Sequence, residues 1–214
     1  SGLYFRLRDA LPEGAERNRY MEFIGAVFED QVRRTLERWI SLLRQQNRRW
    51  HSQASIVTER EILAALSNAG VKETKVADFL LVLDRDVIAI ETKAKFFSVA
   101  ARTGTDEEGY FKRLDEIVIR GARQLDATIE HVRAGRLASL GLRPCRVRRV
   151  LPVVVSFSDL FISPPFREYV DGRLAEEGVL NDSGDGRCHV RPLEVLDCTD
   201  METIEAGLEQ IGRA

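Results

Sequence analysis

The chain has 214 residues, 44% of them hydrophobic and 31% charged, with a formal net charge of −2. This is enough apolar material for one buried core, so a single domain over 1–214 is expected, and the near-neutral balance carries no global signature of nucleic-acid binding. No apolar run reaches transmembrane length and no signal peptide is legible, which argues against a helical membrane protein and for a cytoplasmic place. The chain begins Ser-Gly without Met, as a cleaved tag or a piece of a longer protein would. Cys145, Cys188 and Cys198 lack zinc spacing and read as reduced thiols. His51, His131 and His189 form no metal pattern and read as surface or boundary residues.

In chain order, residues 1–15 hold Pro12 and Gly14 and are expected to be irregular. A helix over about 17–46 follows from Ile24, Val27, Phe28, Val32, Leu36, Trp39, Ile40 and Leu43, which recur with a period near 3.6. Residues 47–55 read as a polar connection. Thr58-Glu-Arg-Glu61 is a capping box for a short helix through Leu66, stopped by Asn68 and Gly70, although a first core strand could also lie here. A hairpin spans 76–95. Residues 98–109, rich in Thr, Gly and acid, read as a loop, either an ordinary connection or one that closes over substrate. A helix is expected over 112–137, burying Ile117, Leu125, Ile129 and Val132. A basic edge from Arg143 then runs into a buried strand over 150–155, and a helix between strands implies a crossover to a parallel neighbour. Ser163-Pro-Pro opens a helix to about Glu177. Residues 181–186 read as a turn and 190–196 as a strand. Thr199-Asp-Met-Glu202 is a second capping box, opening a terminal helix to Ile211 with Gly212 as its stop.

The hairpin carries the chemistry. Phe79 to Leu83 and Val87 to Ile90 are apolar runs around the polar turn Asp84-Arg85-Asp86. A loop centred on Asp84 and Arg85 sets Val82 against Val87, Leu80 against Ala89 and Asp78 against Glu91. Side chains alternate along a strand, so Glu91 and Lys93 share a face. Opposed residues have Cβ atoms about 5 Å apart, which allows Asp78 and Glu91 to hold one cation with Lys93 beside it. Both faces of the hairpin are apolar, so it belongs inside a sheet covered on both sides. The plainer reading is a buried hairpin with a Lys93–Glu91 ion pair at its solvated end. Against it, only five of the 32 basic residues are lysines, so a compact ammonium at Lys93 points to a positioned charge.

Asp78…Glu91-Thr92-Lys93 resembles the core motif of the PD-(D/E)XK nuclease superfamily. Members often carry an acidic residue on the first helix, and Glu29 resembles it. Many have a polar residue on the helix after the ExK strand, a place Gln124 fits. The resemblance covers roughly residues 20–156, with 157–214 as a strand and helix extension. Ala77 stands where the name-giving Pro would be. Thr128 stands where one exonuclease subgroup carries Tyr, which argues against that subgroup.

The resemblance implies an α/β fold of the restriction-endonuclease-like type: a mixed central sheet with an antiparallel catalytic hairpin, flanked by helices on both faces. It implies Mg²⁺, with Mn²⁺ able to substitute, held by Asp78, Glu91 and the carbonyl of Thr92. Lys93 would orient the attacking water and stabilise developing charge. Glu29 would hold a second metal or its water, and Gln124 would contact the water or a phosphate. Arg120 and Arg123 are candidates for phosphate contacts. The implied activity is a nuclease acting on DNA more than RNA, with the cleavage domain of a restriction or defence protein as one implied setting. Double-strand cleavage would call for a homodimer. The alternatives are a catalytically silent module of the same fold for nucleic-acid binding or assembly, and an α/β domain in which the motif is coincidence.

Overall fold

The computed structural model describes residues 7, 10–46, 54–157, 160, 164–182 and 188–211. His51, Ser163, Gly212, most of the 1–15 segment, 47–53 and the 183–186 part of the expected turn lie outside these residues.

A six-stranded mixed sheet forms the centre, in the order β1 (Ala54–Thr58), β2 (Phe79–Leu83), β3 (Asp86–Lys93), β4 (Arg149–Ser156) and β5 (His189–Val190), with β6 (Glu194–Asp197) also paired to β4. The first helix, α1 (Ala15–Gln46), buries Phe28, Val32, Leu36, Trp39 and Ile40 at the expected spacing. Val27 departs from the expected stripe and is 48% exposed, next to the exposed Phe23. The buried side of α1 begins at Phe28, whose ring meets Phe157 edge-on at 5.3 Å.

Strand β1 (Ala54–Thr58) begins inside the stretch read as a polar connection. Its alternation is short: Ala54 and Val57 are buried while Ser55 is exposed. Helix α2 (Glu59–Asn68) follows, its start held by the Glu61 carboxylate, which accepts from the Thr58 N–H at 2.8 Å and hydroxyl at 2.6 Å. Gly70 at φ 76° ends it, a backbone conformation glycine adopts without penalty.

The hairpin has the expected register. Strands β2 (Phe79–Leu83) and β3 (Asp86–Lys93) pair antiparallel, with Leu80 opposite Ala89 and Val82 opposite Val87. Asp84 makes the two-residue turn at φ 58°, the left-handed region that Asp tolerates better than most residues. Strand β4 (Arg149–Ser156) runs parallel to β3 along its whole length, from Asp86↔Arg149 to Lys93↔Ser156.

Between β3 and β4 the chain is more helical than expected. The 98–109 stretch contains α3 (Val99–Arg102) and the start of α4 (Glu107–Leu114), rather than one loop. Asp106 caps α4 by accepting from the Gly109 N–H at 2.8 Å. A π-helical turn (Asp115–Ile119) joins α4 to α5 (Arg120–Arg133). The helix ends four residues earlier than expected, with Gly135 at φ 71°.

Helix α6 (Pro164–Glu177) starts on the prolines. The strand expected over 190–196 is two pieces, β5 (His189–Val190) and β6 (Glu194–Asp197), each parallel to β4. Pro192 lies between them and has no N–H to give a ladder. The terminal helix α7 (Cys198–Ile211) is not capped by Thr199. Asp197 and Asp200 cap it instead, each carboxylate accepting the other's N–H at 2.9 and 3.0 Å.

Two apolar layers cover the sheet. Phe79, Leu81, Ile90, Val153 and Val155 pack under α1 and α7. Leu80, Val87, Ala89 and Val154 pack under α2, α5 and α6. The chain is thus α/β, with a mixed sheet flanked by helices on both faces. Among the described residues no helix is long and apolar enough to cross a membrane. Cys145, Cys188 and Cys198 form no disulfide among the described residues. His131, read as a boundary residue, is buried, with Nδ1 2.9 Å from Arg136 Nη1.

Candidate active site

Strand pairing and one helix bring five of the expected residues together. Asp78 directly precedes β2, and the hairpin register carried one step further sets it opposite Glu91. Asp78 Oδ2 accepts from the Thr92 N–H at 2.7 Å and from its hydroxyl at 2.6 Å. On β3, Lys93 Nζ donates to Glu91 Oε1 at 2.5 Å. The same ammonium donates to Gln124 Oε1 on α5 at 2.8 Å. The ion pair is the one the plainer reading also foresees; the contact to Gln124 goes beyond it.

Close packing of α5 makes this possible. A Cβ on Gly121 would stand 2.8 Å from Val154 Cγ2 and 3.6 Å from Glu91 Cγ. Only a residue without a side chain lets the helix lie this near β3 and β4. Thr128, one turn beyond Gln124, ties α5 to the first strand of the hairpin. It accepts from the Ala77 N–H at 2.7 Å and donates to the Gln124 carbonyl at 3.0 Å.

The electrostatics are those of crowded, buried carboxylates. Burial, then the charge of Asp78, pushes the Glu91 carboxyl up to about 8 against the opposing pull of Lys93. Burial also raises Asp78, opposed by the Thr92 hydrogen bonds and Lys93. Glu29 is raised by burial and then by Asp78. It shares the field of the site from α1, without a hydrogen bond to the hairpin. Glu59, at the first position of α2, is raised by the same two causes, burial and Asp78. Its N–H donates to the Asp78 carbonyl at 2.8 Å.

A hard cation suits this donor set. Glu91 is 2% exposed, and its Oε2 is buried with no hydrogen-bond partner. Four carboxylates, Glu29, Glu59, Asp78 and Glu91, are all held above their ordinary range by burial, and the charge of Asp78 raises the other three further. Buried anions in this state gain most from a positive charge with oxygen preference. Among the described residues no three His, Cys, Asp or Glu side chains already form a coordinating group. Lys93 supplies the cation that balances Glu91 in their place.

Three features had little signal in the sequence. Glu59 lay within the capping box and read as a helix residue. Thr128 read only as the absence of Tyr. Ser156, beside Lys93 in the β3–β4 register, is fully buried with an unpartnered Oγ. Of the two arginines proposed for phosphate, Arg123 is held by Glu177 through two hydrogen bonds of 2.6 and 2.7 Å. The groove lined by Phe23, Val27, Arg34 and Arg38 is on α1 and does not include the carboxylates. Compared with protein-family models, curated proteins and solved structures, the chain finds no match in any of the three.

Proposed function

We propose that this chain is a metal-dependent nuclease that hydrolyses phosphodiester bonds, with DNA as its first substrate class. One observation carries the reading: Asp78, Glu91, Lys93 and Gln124 converge on one face of a hairpin end, with an unpartnered buried Glu91 oxygen among them. The finer fold reading, a restriction-endonuclease-like core over 20–156, belongs to the same proposal. It is supported by the order α1-β1-α2-β2-β3, then α3 to α5, then β4, and by the parallel β3–β4 pair.

Asp78 and Glu91 would hold Mg²⁺ or Mn²⁺, with the Thr92 carbonyl as a third donor and Glu29 and Glu59 placed towards a second ion. Bound there, a divalent cation supplies charge neutralisation at the phosphate and activation of water. Lys93 does the remaining work on the protein side. Its ammonium would orient the attacking water and stabilise negative charge on the phosphoryl oxygens. Gln124 limits where that ammonium travels, because its Oε1 already accepts from Nζ.

The deciding experiment is cleavage of plasmid, linear and single-stranded DNA and RNA in Mg²⁺ or Mn²⁺, with EDTA as the blank. Metal-dependent cutting is expected, reduced on the order of 10²-fold or more by Lys93→Ala or Asp78→Ala. Cutting that survives both substitutions would refute the assignment. A second reading, a silent module of the same fold, is favoured by the direct Lys93–Glu91 ion pair, which gives Lys93 and Glu91 Oε1 a partner without a metal. It requires that no substrate in the panel is cut. A place in a restriction or defence protein, membership of a larger multidomain chain and a homodimer that cuts both strands extend the same proposal.

A further inference from the structure

Beyond Lys93 the chain gathers a second group of cations. Lys95 Nζ donates to Glu116 Oε2 at 3.1 Å. Arg113, one turn before Glu116 along the same helix, donates to that same oxygen at 2.5 Å. Arg120, one turn after it, lies near enough to act on the same carboxyl. Burial pushes the Glu116 carboxyl up, yet the Lys95 hydrogen bond and the charges of Arg113, Lys95 and Arg120 hold it below its ordinary range. The adjacent Asp115 is engaged elsewhere, accepting from the Tyr169 hydroxyl at 2.9 Å and standing 3.5 Å from Arg173. Among the described residues three cations thus act on the Glu116 carboxyl, in a chain whose net charge is −2.

The contrast with the other arginines is direct. Arg123 is matched by Glu177, and Arg149 by Asp86, each through two hydrogen bonds. Around Glu116 the arrangement differs, because Lys95 and Arg113 both donate to a single oxygen. Location matters as much as charge. Lys93 and Lys95 reach the same run of helix, at Gln124 and Glu116. Those two positions are about 12 Å apart along a helix rising ~1.5 Å per residue. That is the span of roughly three to four phosphates of a B-form strand.

We propose that Lys95, Arg113 and Arg120 form a phosphate subsite that seats the backbone of the nucleic-acid strand beside the bond to be cut, a proposal that rests on the nuclease reading above. Lys95 acts as a point charge and the two arginines as planar donor forks, the chemistry that phosphodiester oxygens recognise. Glu116 keeps Lys95 and Arg113 side by side, so less side-chain freedom is lost when a phosphate arrives.

The test is binding of fluorescent oligonucleotides (duplex DNA, single-stranded DNA and RNA) to the full chain in EDTA, by anisotropy over a salt series. The variants are Lys95→Gln, Arg113→Gln, the double substitution and Arg149→Gln, a charge loss at the far end of β4, outside the cluster. Each cluster substitution is expected to weaken binding several-fold. The double variant is expected to lose on the order of tenfold, with the salt slope lowered by about 0.9 per lost contact on duplex or 0.7 on a single strand. Arg149→Gln is expected to leave affinity and slope unchanged. A double variant with wild-type affinity and slope overturns the proposal, as does equal weakening by Arg149→Gln, or a parent chain that binds no oligonucleotide. Cleavage in Mg²⁺ separates the two readings. Cutting that persists with no effect at the cluster leaves the nuclease and removes the subsite. Binding that depends on the cluster without any cutting keeps the subsite and removes the nuclease.

Discussion

At the residue scale, Glu91 decides how the protein responds to pH. Its folded value of about 8 lies above its ordinary 4.5. Between these values the folded chain holds the proton more tightly than the unfolded chain. The stability this contributes is complete below about pH 4.5 and is lost as pH rises through about 8. The metal-free chain should therefore lose melting temperature across that window, and Glu91→Gln should flatten the loss. A variant with an unchanged pH profile would show that Lys93 already compensates the charge in full. Thr128 is the second residue to probe. Thr128→Val leaves the Ala77 N–H buried without its acceptor, at a cost of about 1–3 kcal/mol measured by chemical denaturation. Because Ala77 precedes Asp78, catalysis should fall along with stability. Thr128→Ser, which keeps the hydroxyl, should restore most of both.

At the element scale, the distance between α5 and the sheet is set at Gly121. Gly121→Ala gains up to about 1 kcal/mol of helix propensity but forces a methyl against the stiff Val154 side chain, an overpacking cost of about 1–3 kcal/mol. A net loss of stability is expected, together with a larger loss of cleavage, because α5 carries Gln124 away from Lys93. Equal stability and equal activity would mean the sheet yields without consequence. The elements also show what was legible beforehand. The hairpin register could be read because a period of two and a loop centred on Asp84 and Arg85 leave one pairing that keeps both faces apolar. Strand β1 was hidden because five residues with one exposed serine carry too little alternation to stand out from a polar neighbourhood. The start of α4 was hidden because its signal is electrostatic, Asp106 with Glu107 and Glu108, in a stretch otherwise typical of loops. The cap of α7 was misplaced because Asp197-x-x-Asp200 and Thr199-x-x-Glu202 offer the same kind of box two residues apart, and strand β6 ends where the first one begins.

At the scale of the whole molecule, the site sums contributions from both layers around the sheet. Asp78, Glu91 and Lys93 come from the hairpin, Gln124 from α5, Glu59 from α2 and Glu29 from α1. The hairpin part was readable because it lies within sixteen consecutive residues, 78–93. The Glu59 contribution was not, since nothing local signals that the start of α2 meets Asp78. A cation bound by these groups stabilises the folded state alone. Mg²⁺ at 100 times its dissociation constant should add about 2.7 kcal/mol. For a chain of this size that is a rise in melting temperature of roughly 5–10 °C. Asp78→Ala should abolish the rise. The silent-module reading requires no rise in either protein.

The two-residue turn at Asp84-Arg85 has a further consequence, in folding kinetics. Closing so short a loop costs little chain entropy, and hairpins form in about 1–10 μs, well ahead of contacts between distant parts of a chain. Asp78 and Glu91 thus meet early, while still wet, and Gln124, thirty-one residues beyond Lys93, completes the arrangement when α5 docks. On this order the carboxylates come together before they are buried, and the energetic cost of burying them falls on the later docking of the elements around the hairpin. Pulsed hydrogen exchange during refolding should find the amides of 79–90 protected before those of 120–133, and the reverse order would place α5 in the nucleus instead.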